Sequence, residues 1–187
     1  MTRDRQRQIE GFIALALFTL TIPTANWLIG NVGTVCVPEG PCLVPVAPGI
    51  KAPSGVLMIG LALVLRDVVQ RRLGALAGLG AIAIGALISA FVAPPAIVVA
   101  SVAAFLLSEL ADFAVYTPLQ KRRFVTAVFA SSIVGLVVDS IVFLQLAFGS
   151  LDFVSGQIIG KAWMVLLALP LMYLLRRRDE KLGLAAA

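Results

Sequence analysis

No histidine occurs in the 187 residues of this chain, which removes the commonest general base and metal ligand. Cys36 and Cys42 are the only cysteines, too few by themselves for a zinc or iron–sulfur site. Charge is scarce: 13% of residues are charged, against about 25% in soluble domains. No phosphate-cradling G-x-x-x-x-G-K-[ST], no G-x-S-x-G elbow and no H-E-x-x-H pair is present. Catalysis would therefore rest on carboxylates and Lys161 alone. The chain is read as a non-enzyme with no cofactor and no metal. Its net charge of +5 is not arranged as a basic stripe interleaved with aromatics, so nucleic acid is not the expected partner.

What the chain has instead is apolar length. Hydrophobic residues make up 60% of it, well above the ~45–50% of soluble proteins. A membrane-spanning helix needs about 20 mostly apolar residues. Six segments qualify, roughly 10–31, 52–70, 73–92, 94–117, 124–149 and 152–175. Each is too long for a barrel strand and lacks strict alternation, so all six are expected to be helices. The first is too long for a signal-peptide core and is read as retained. The second is the weakest, because Arg66 and Asp67 fall near its end. Ala93-Pro94-Pro95 is expected to make a tight turn between the third and fourth.

The basic residues cluster between these segments. Thirteen of the 15 lie in four groups, Arg3–Arg7, Arg66–Arg72, Lys121–Arg123 and Arg176–Lys181. With six spans and a cytoplasmic N-terminus, all four groups fall on the cytoplasmic side, as the positive-inside rule requires. The expected fold is one all-α, multi-pass transmembrane domain with both termini inside. The Gly/Pro-rich stretch 32–51 is then an external loop. Its compartment is oxidising, which favours a Cys36–Cys42 disulfide over two free thiols.

Polar residues inside apolar segments become the functional candidates, because lipid makes them costly. Asn26 lies in the first segment, Asp67 at the end of the second, Glu109 and Asp112 in the fourth, Asp139 in the fifth and Lys161 in the sixth. Helical spacing groups Glu109, Asp112 and Tyr116; Ser132, Gly135 and Asp139; and Gln157, Lys161 and Met164. These three stripes are expected to face inward. Structural alternatives accompany each. Lys161 either neutralises Asp139 or contacts substrate. Asp67 has Arg71 at i, i+4, and Asp112 has the Lys121–Arg123 loop. Glu109 has no basic residue within a turn, which favours a ligand role. Asn26 either binds substrate or bonds a neighbouring helix. Trp27 suits an interfacial anchor, whereas Trp163 falls deep enough to line a cavity. Gly156 and Gly160 read as helix packing.

At these residues the chain resembles the queuosine precursor transporter family, also called the vitamin uptake family. The likeness runs through Ala25-Asn26-Trp27-Leu28, through Asp67-Val68-Val69-Gln70-Arg71-Arg72-Leu73-Gly74, and through Ser108-Glu109-Leu110-Ala111-Asp112-Phe113-Ala114-Val115-Tyr116. It continues in Ser131-Ser132-Ile133-Val134-Gly135, Asp139-Ser140, and Lys161 followed by Leu169-Pro170. The resemblance implies a six-helix layout like that of the substrate-binding subunits of energy-coupling-factor importers. It also implies uptake of a 7-deazaguanine (the cyano or aminomethyl form, or queuine) across a bacterial inner membrane. Those subunits dock a partner through an Ala-x-x-x-Ala face. Here Ala14 and Ala16 are followed four residues on by Phe18 and Leu20, which favours a stand-alone carrier.

The residues suit such a cargo. A guanine-like edge offers adjacent N–H donors and a carbonyl acceptor. Glu109 or Asp112 would accept from the donors, and Asn26, Gln157 or Lys161 would donate. Phe113, Tyr116, Phe143 and Trp163 are the stacking candidates. The expected site is a cavity between the first, fourth, fifth and sixth segments, ringed by Glu109, Asp112, Asp139, Lys161 and Asn26, with Asp67 nearby.

Overall fold

The computed structural model describes residues 3–38 and 40–183. Six helices carry the fold: α1 (Arg3–Asn31), α2 (Val56–Leu73), α3 (Ala75–Val92), α4 (Val98–Leu119), α5 (Phe124–Phe148) and α6 (Val154–Leu182). Helix is the form a long apolar segment takes in lipid, because it satisfies every backbone donor and acceptor internally. Five of the six are long and apolar enough to cross a membrane. The chain is a multi-pass, largely helical membrane protein.

The helices outrun the apolar segments at the charged ends. α1 begins at Arg3 rather than near residue 10, and α6 continues to Leu182 rather than stopping near 175. Each has 29 residues, about 44 Å of helix against a hydrocarbon core of ~30 Å. Apolarity marks where a helix meets lipid, not where its hydrogen bonding ends. Hence the Arg176–Lys181 group lies on a helical extension, not in a flexible tail.

The stretch between α1 and α2 is not a plain loop. It folds into an antiparallel sheet of β1 (Val35–Cys36), β2 (Cys42–Ala47) and β3 (Ile50–Pro53), in sequence order. Cys36 and Cys42 are register partners and are joined by a disulfide. The β2–β3 turn passes through Gly49 at φ 72°, a conformation glycine adopts without steric cost. Because β3 occupies residues 50–53, α2 starts at Val56 instead of 52.

Two junctions set the helix directions. Gly74 (φ 95°) ends α2 with its N–H on the Gln70 carbonyl and lets α3 start one residue later. Between α3 and α4, Pro94 is extended (ψ 139°) and Pro95–Ile97 form a 3-10 turn. α4 therefore begins at Val98, four residues beyond the expected start, since neither proline has an N–H for the helix ladder.

Apart from Arg66, which is buried midway along α2, the four basic groups end up at one end of the bundle. Arg178 of α6 reaches Glu10 of α1 at 2.6 Å, and Arg72 of α2 reaches the same carboxylate at 2.9 Å. Arg71 lies over the Phe124 ring at the start of α5, 4.0 Å from its centroid. The sheet caps the opposite end. α2 is central, packed against α1, α3, α5 and α6. It fails the apolarity test for a span because it carries Arg66, Asp67, Arg71 and Arg72, yet all four are buried. Two apolar clusters flank it. One is built around Phe18, Ile22, Val69, Ile82 and Phe105, the other around Leu63, Val64, Tyr116, Val128 and Val165.

Candidate functional site

The sheet end of the bundle opens into a cavity lined by all six helices. Asn26 enters it from α1, Val56 and Ile59 from α2, and Ser89 from α3. Ser101 and Phe105 come from α4, Asp139 and Phe143 from α5, and Gln157 and Lys161 from α6. Its volume is ≈ 80 Å³, well below the ~300–1,000 Å³ of small-molecule pockets. In this conformation it has room for no more than a few water molecules. A two-ring heterocycle requires its walls to part.

The polar floor is built on two facing helices. Asp139 projects from the Ser132–Gly135–Asp139 stripe of α5, and Gln157 and Lys161 from one stripe of α6. Lys161 Nζ donates to Asp139 Oδ2 at 2.6 Å, to Ser140 Oγ at 2.8 Å and to Gln157 Oε1 at 2.5 Å. All three ammonium protons are thereby used. Both residues line the cavity, and the Lys161 side chain is 1% exposed and that of Asp139 11%, so the carboxylate is the more open of the two. An ammonium only donates, so the Gln157 atom facing it is the carbonyl oxygen. The Gln157 NH₂ is left as a donor. Asn26 is half-buried and gives one N–H to the Ile22 carbonyl at 3.0 Å. The site therefore offers one fixed carboxylate acceptor, two amides and the Phe105 and Phe143 rings.

Glu109 and Asp112 do not line this cavity. Both turn from α4 toward α2, where Arg66 sits with no solvent exposure. Arg66 Nε donates to Glu109 Oε2 at 3.0 Å, and its Nη2 donates to Asp112 Oδ1. Nη1 donates to Gln70 Oε1 at 2.9 Å and lies 3.1 Å from Asp67 Oδ1. The guanidinium also sits over the Phe113 and Tyr116 rings, at 5.7 and 5.6 Å, within cation–π range. Glu109 thus has a cationic partner after all, supplied across the helix interface. Asp112 pairs with Arg66 rather than with the Lys121–Arg123 turn. Asp67 pairs with Arg66 and accepts from Ser131 Oγ at 3.3 Å. Its i, i+4 neighbour Arg71 instead joins Arg72 on Asp179 of α6.

The aromatic candidates divide in the same way. Phe143 lines the cavity, whereas Phe113 and Tyr116 belong to the Arg66 cluster. Tyr116 is fully buried and its hydroxyl donates to the Asp67 carbonyl at 3.0 Å. Trp163 is half-exposed on the outer face of α6 and donates from Nε1 to the Val46 carbonyl at 2.8 Å. It fastens the sheet to the bundle and does not line the cavity. Trp27 is exposed, as an interfacial anchor would be. Gly156 and Gly160 are packing positions: an added Cβ would strike the Lys51 carbonyl at the first and the Val56 side chain at the second.

Several residues of the cavity and the buried charge clusters escape a reading by composition. Arg66 is hidden within a basic group that suggests a cytoplasmic loop. Ser101 and Phe105 carry a usable signal, since with Ser108, Asp112 and Tyr116 they continue one face of α4 at helical spacing. Asp179 lies among four basic residues and looks solvated, but is 1% exposed. Among the described residues, no group of three or more His, Cys, Asp or Glu is arranged to hold a metal ion.

A polar-floored cavity among the spans of a helical membrane protein suits a small-molecule transporter. More particularly, residues 56–175 match a family described as putative vitamin uptake transporter, and the chain belongs to that family. The match covers α2 to most of α6, so the Arg66 cluster, Asp139 and Lys161 fall inside it and Asn26 outside. No curated protein and no solved structure matches the chain.

Proposed function

We propose that this chain is a six-span carrier of the inner membrane, with both termini in the cytoplasm, that imports a 7-deazaguanine precursor of queuosine. The observation that carries this reading is Asp139. It is a carboxylate fixed by Lys161 and turned into a cavity that also holds two amides and two phenyl rings. A carboxylate accepts the paired N–H donors of a guanine-like edge, an amide donates to its carbonyl, and a phenyl ring stacks on its plane. The roles first sought in Glu109 and Asp112 pass to Asp139, with Gln157 and Asn26 as donors.

Further observations support the layout. Burial of all four α2 charges against neighbouring helices makes α2 a tolerable sixth span. The gathering of basic groups at one end agrees with that end being cytoplasmic. The sheet, the disulfide and the cavity then face outward. A cavity too small for its cargo suits a closed stage of alternating access. The outward face of α1 carries the bulky Phe12, Ile13, Leu17 and Leu20, which argues for a carrier that works without an energising partner.

The test is uptake of labelled cyano-deazaguanine by the purified protein in liposomes, with unlabelled purines and vitamins as competitors. Saturable uptake blocked by deazaguanines alone is expected. Uptake only after adding an energising complex would favour a substrate-binding subunit. Competition by an unrelated vitamin would replace the substrate.

A further inference from the structure

The Arg66 cluster is unbalanced. Three carboxylates, Asp67, Glu109 and Asp112, face one guanidinium. Exposure is zero for Arg66, Asp67 and Asp112 and 1% for Glu109. The hydrogen bonding is incomplete too. Asp112 Oδ2 is buried without a hydrogen-bond partner among the described residues, as is Ser132 Oγ on the adjoining face of α5, and Asp67 Oδ1 has no hydrogen bond beyond its 3.1 Å ion-pair contact with Arg66. Uncompensated charge and orphaned oxygens in a membrane interior are costly by several kcal/mol each. Something must balance them. No arrangement suited to a metal ion is present among the described residues, and the unpartnered atoms are carboxylate oxygens. A proton serves both needs, since it removes one of the two excess negative charges and turns an orphaned acceptor into a donor.

The groups facing this point come from every element around it. α2 contributes Arg66 and Gln70, α4 contributes Glu109, Tyr116 and Thr117, and α5 contributes Ser131 and, beyond Glu109, Asp139. Arg66 is the one cation in contact. Lys161 is engaged on the far side of Asp139. Asp67 and Asp112 are neighbours on the same guanidinium. The cluster lies about 10 Å along α2 from Ile59 at the cavity and about 9 Å from Arg72 at the basic end. It is therefore midway between the two ends and sealed from both.

We propose that the Asp67–Asp112 pair beside Arg66 is a proton-carrying site that couples substrate movement to a proton gradient. A hydronium on the sheet side gives its proton to a carboxylate oxygen of the pair and leaves water. On the opposite side the carboxylic acid returns the proton to water. Neither step needs a further reactant. The coupling rests on the reading of the cavity as the substrate site; the proton site itself does not.

The experiment has two arms on the full-length protein. In the first, infrared difference spectra across a pH step are recorded without substrate. The C=O stretch of a protonated carboxyl is expected, lost or shifted in Asp67→Asn and in Asp112→Asn. In the second, liposomes carrying the protein receive an inward gradient of one pH unit. One proton per substrate supports about tenfold accumulation of labelled cyano-deazaguanine. The ratio of gradient-driven to gradient-free uptake should fall toward one in Asp67→Asn and recover in Asp67→Glu. Substrate counterflow without any gradient checks the substrate reading separately. Counterflow with no response to the gradient overturns the coupling, and absence of the carboxyl band overturns the proton site. Absence of counterflow in the wild type overturns the substrate instead and leaves the infrared arm to judge the pair.

Discussion

Lys161 and Asp139 sit 2.6 Å apart on neighbouring helices, and both line the cavity. The ammonium protons are spent on Asp139, Ser140 and Gln157, so in the proposed function the carboxylate is the acceptor offered to the cargo. Asp139→Asn keeps the shape and one hydrogen bond to Lys161 but loses the charged acceptor. A hydrogen bond to a charged group is worth about 1.5–3 kcal/mol, so deazaguanine affinity should fall roughly 10–100-fold while the helical fold survives. Competition binding in detergent checks this. Lys161→Met should lose both binding and thermal stability, because it leaves a buried carboxylate unpaired.

Arg66 is the single cation of its cluster. Arg66→Met leaves three buried carboxylates facing one another, and breaking a buried pair costs about 3–5 kcal/mol. The expected outcome is a large drop in the temperature at which the detergent-solubilised protein aggregates. Arg66→Lys should recover little, because an ammonium cannot reproduce the fork that serves Glu109, Asp112 and Gln70 together. Adding Asp112→Asn to Arg66→Met should recover part of the loss.

Asp179 and Glu180 are adjacent acids with opposite fates. Glu180 meets Arg176 at the surface, with side chains 58% and 42% exposed. Glu180→Gln should therefore change stability by no more than about 0.5 kcal/mol. Asp179 is buried between Arg71 and Arg72. Asp179→Asn leaves Arg71 without its carboxylate and Arg72 with Glu10 alone, so a loss of about 3 kcal/mol is expected. Thermal unfolding of the two variants side by side measures the contrast.

Two glycines separate close helix contact from open space. A Cβ at Gly60 would stand 2.5 Å from the Lys161 carbonyl, a backbone atom that cannot turn aside. Gly60→Val should push α6 from α2, shift Lys161 and abolish binding. At Gly80 nothing lies within 4 Å of an added Cβ. Gly80→Ala should be neutral or stabilise α3 by up to about 1 kcal/mol. Binding and thermal unfolding report both.

Cys36 and Cys42, as the chain's only cysteines, make the wild type its own topology probe. After mild reduction of intact cells, a membrane-impermeant maleimide should label the protein without lysis. Labelling only after lysis would place the sheet in the cytoplasm and reverse the proposed orientation.

The helices were legible because lipid demands long apolar segments and internally satisfied backbones. Their ends were less so, since hydropathy is silent where α1 and α6 run on into water. The sheet was missed because its strands are short and lie among glycines and prolines. The inward stripes of α4, α5 and α6 were legible from helical spacing. Trp163 was misplaced because spacing along one helix does not say which neighbour covers it.

By itself the sequence determined that this is a helical membrane protein, that its basic groups share one end, and which ionisable residues need a partner inside. Those conclusions follow from the cost of placing charge and open backbone in lipid, which depends on residue type and length alone. The tertiary structure alone decided the partners. Arg66 lies 43 positions from Glu109 and 46 from Asp112, and Arg72 lies 107 from Asp179. No local periodicity links residues so far apart; they meet because α2 runs through the centre of the bundle and its charges can be satisfied only there. That arrangement takes Glu109 and Asp112 out of the cavity and leaves Asp139 to face it.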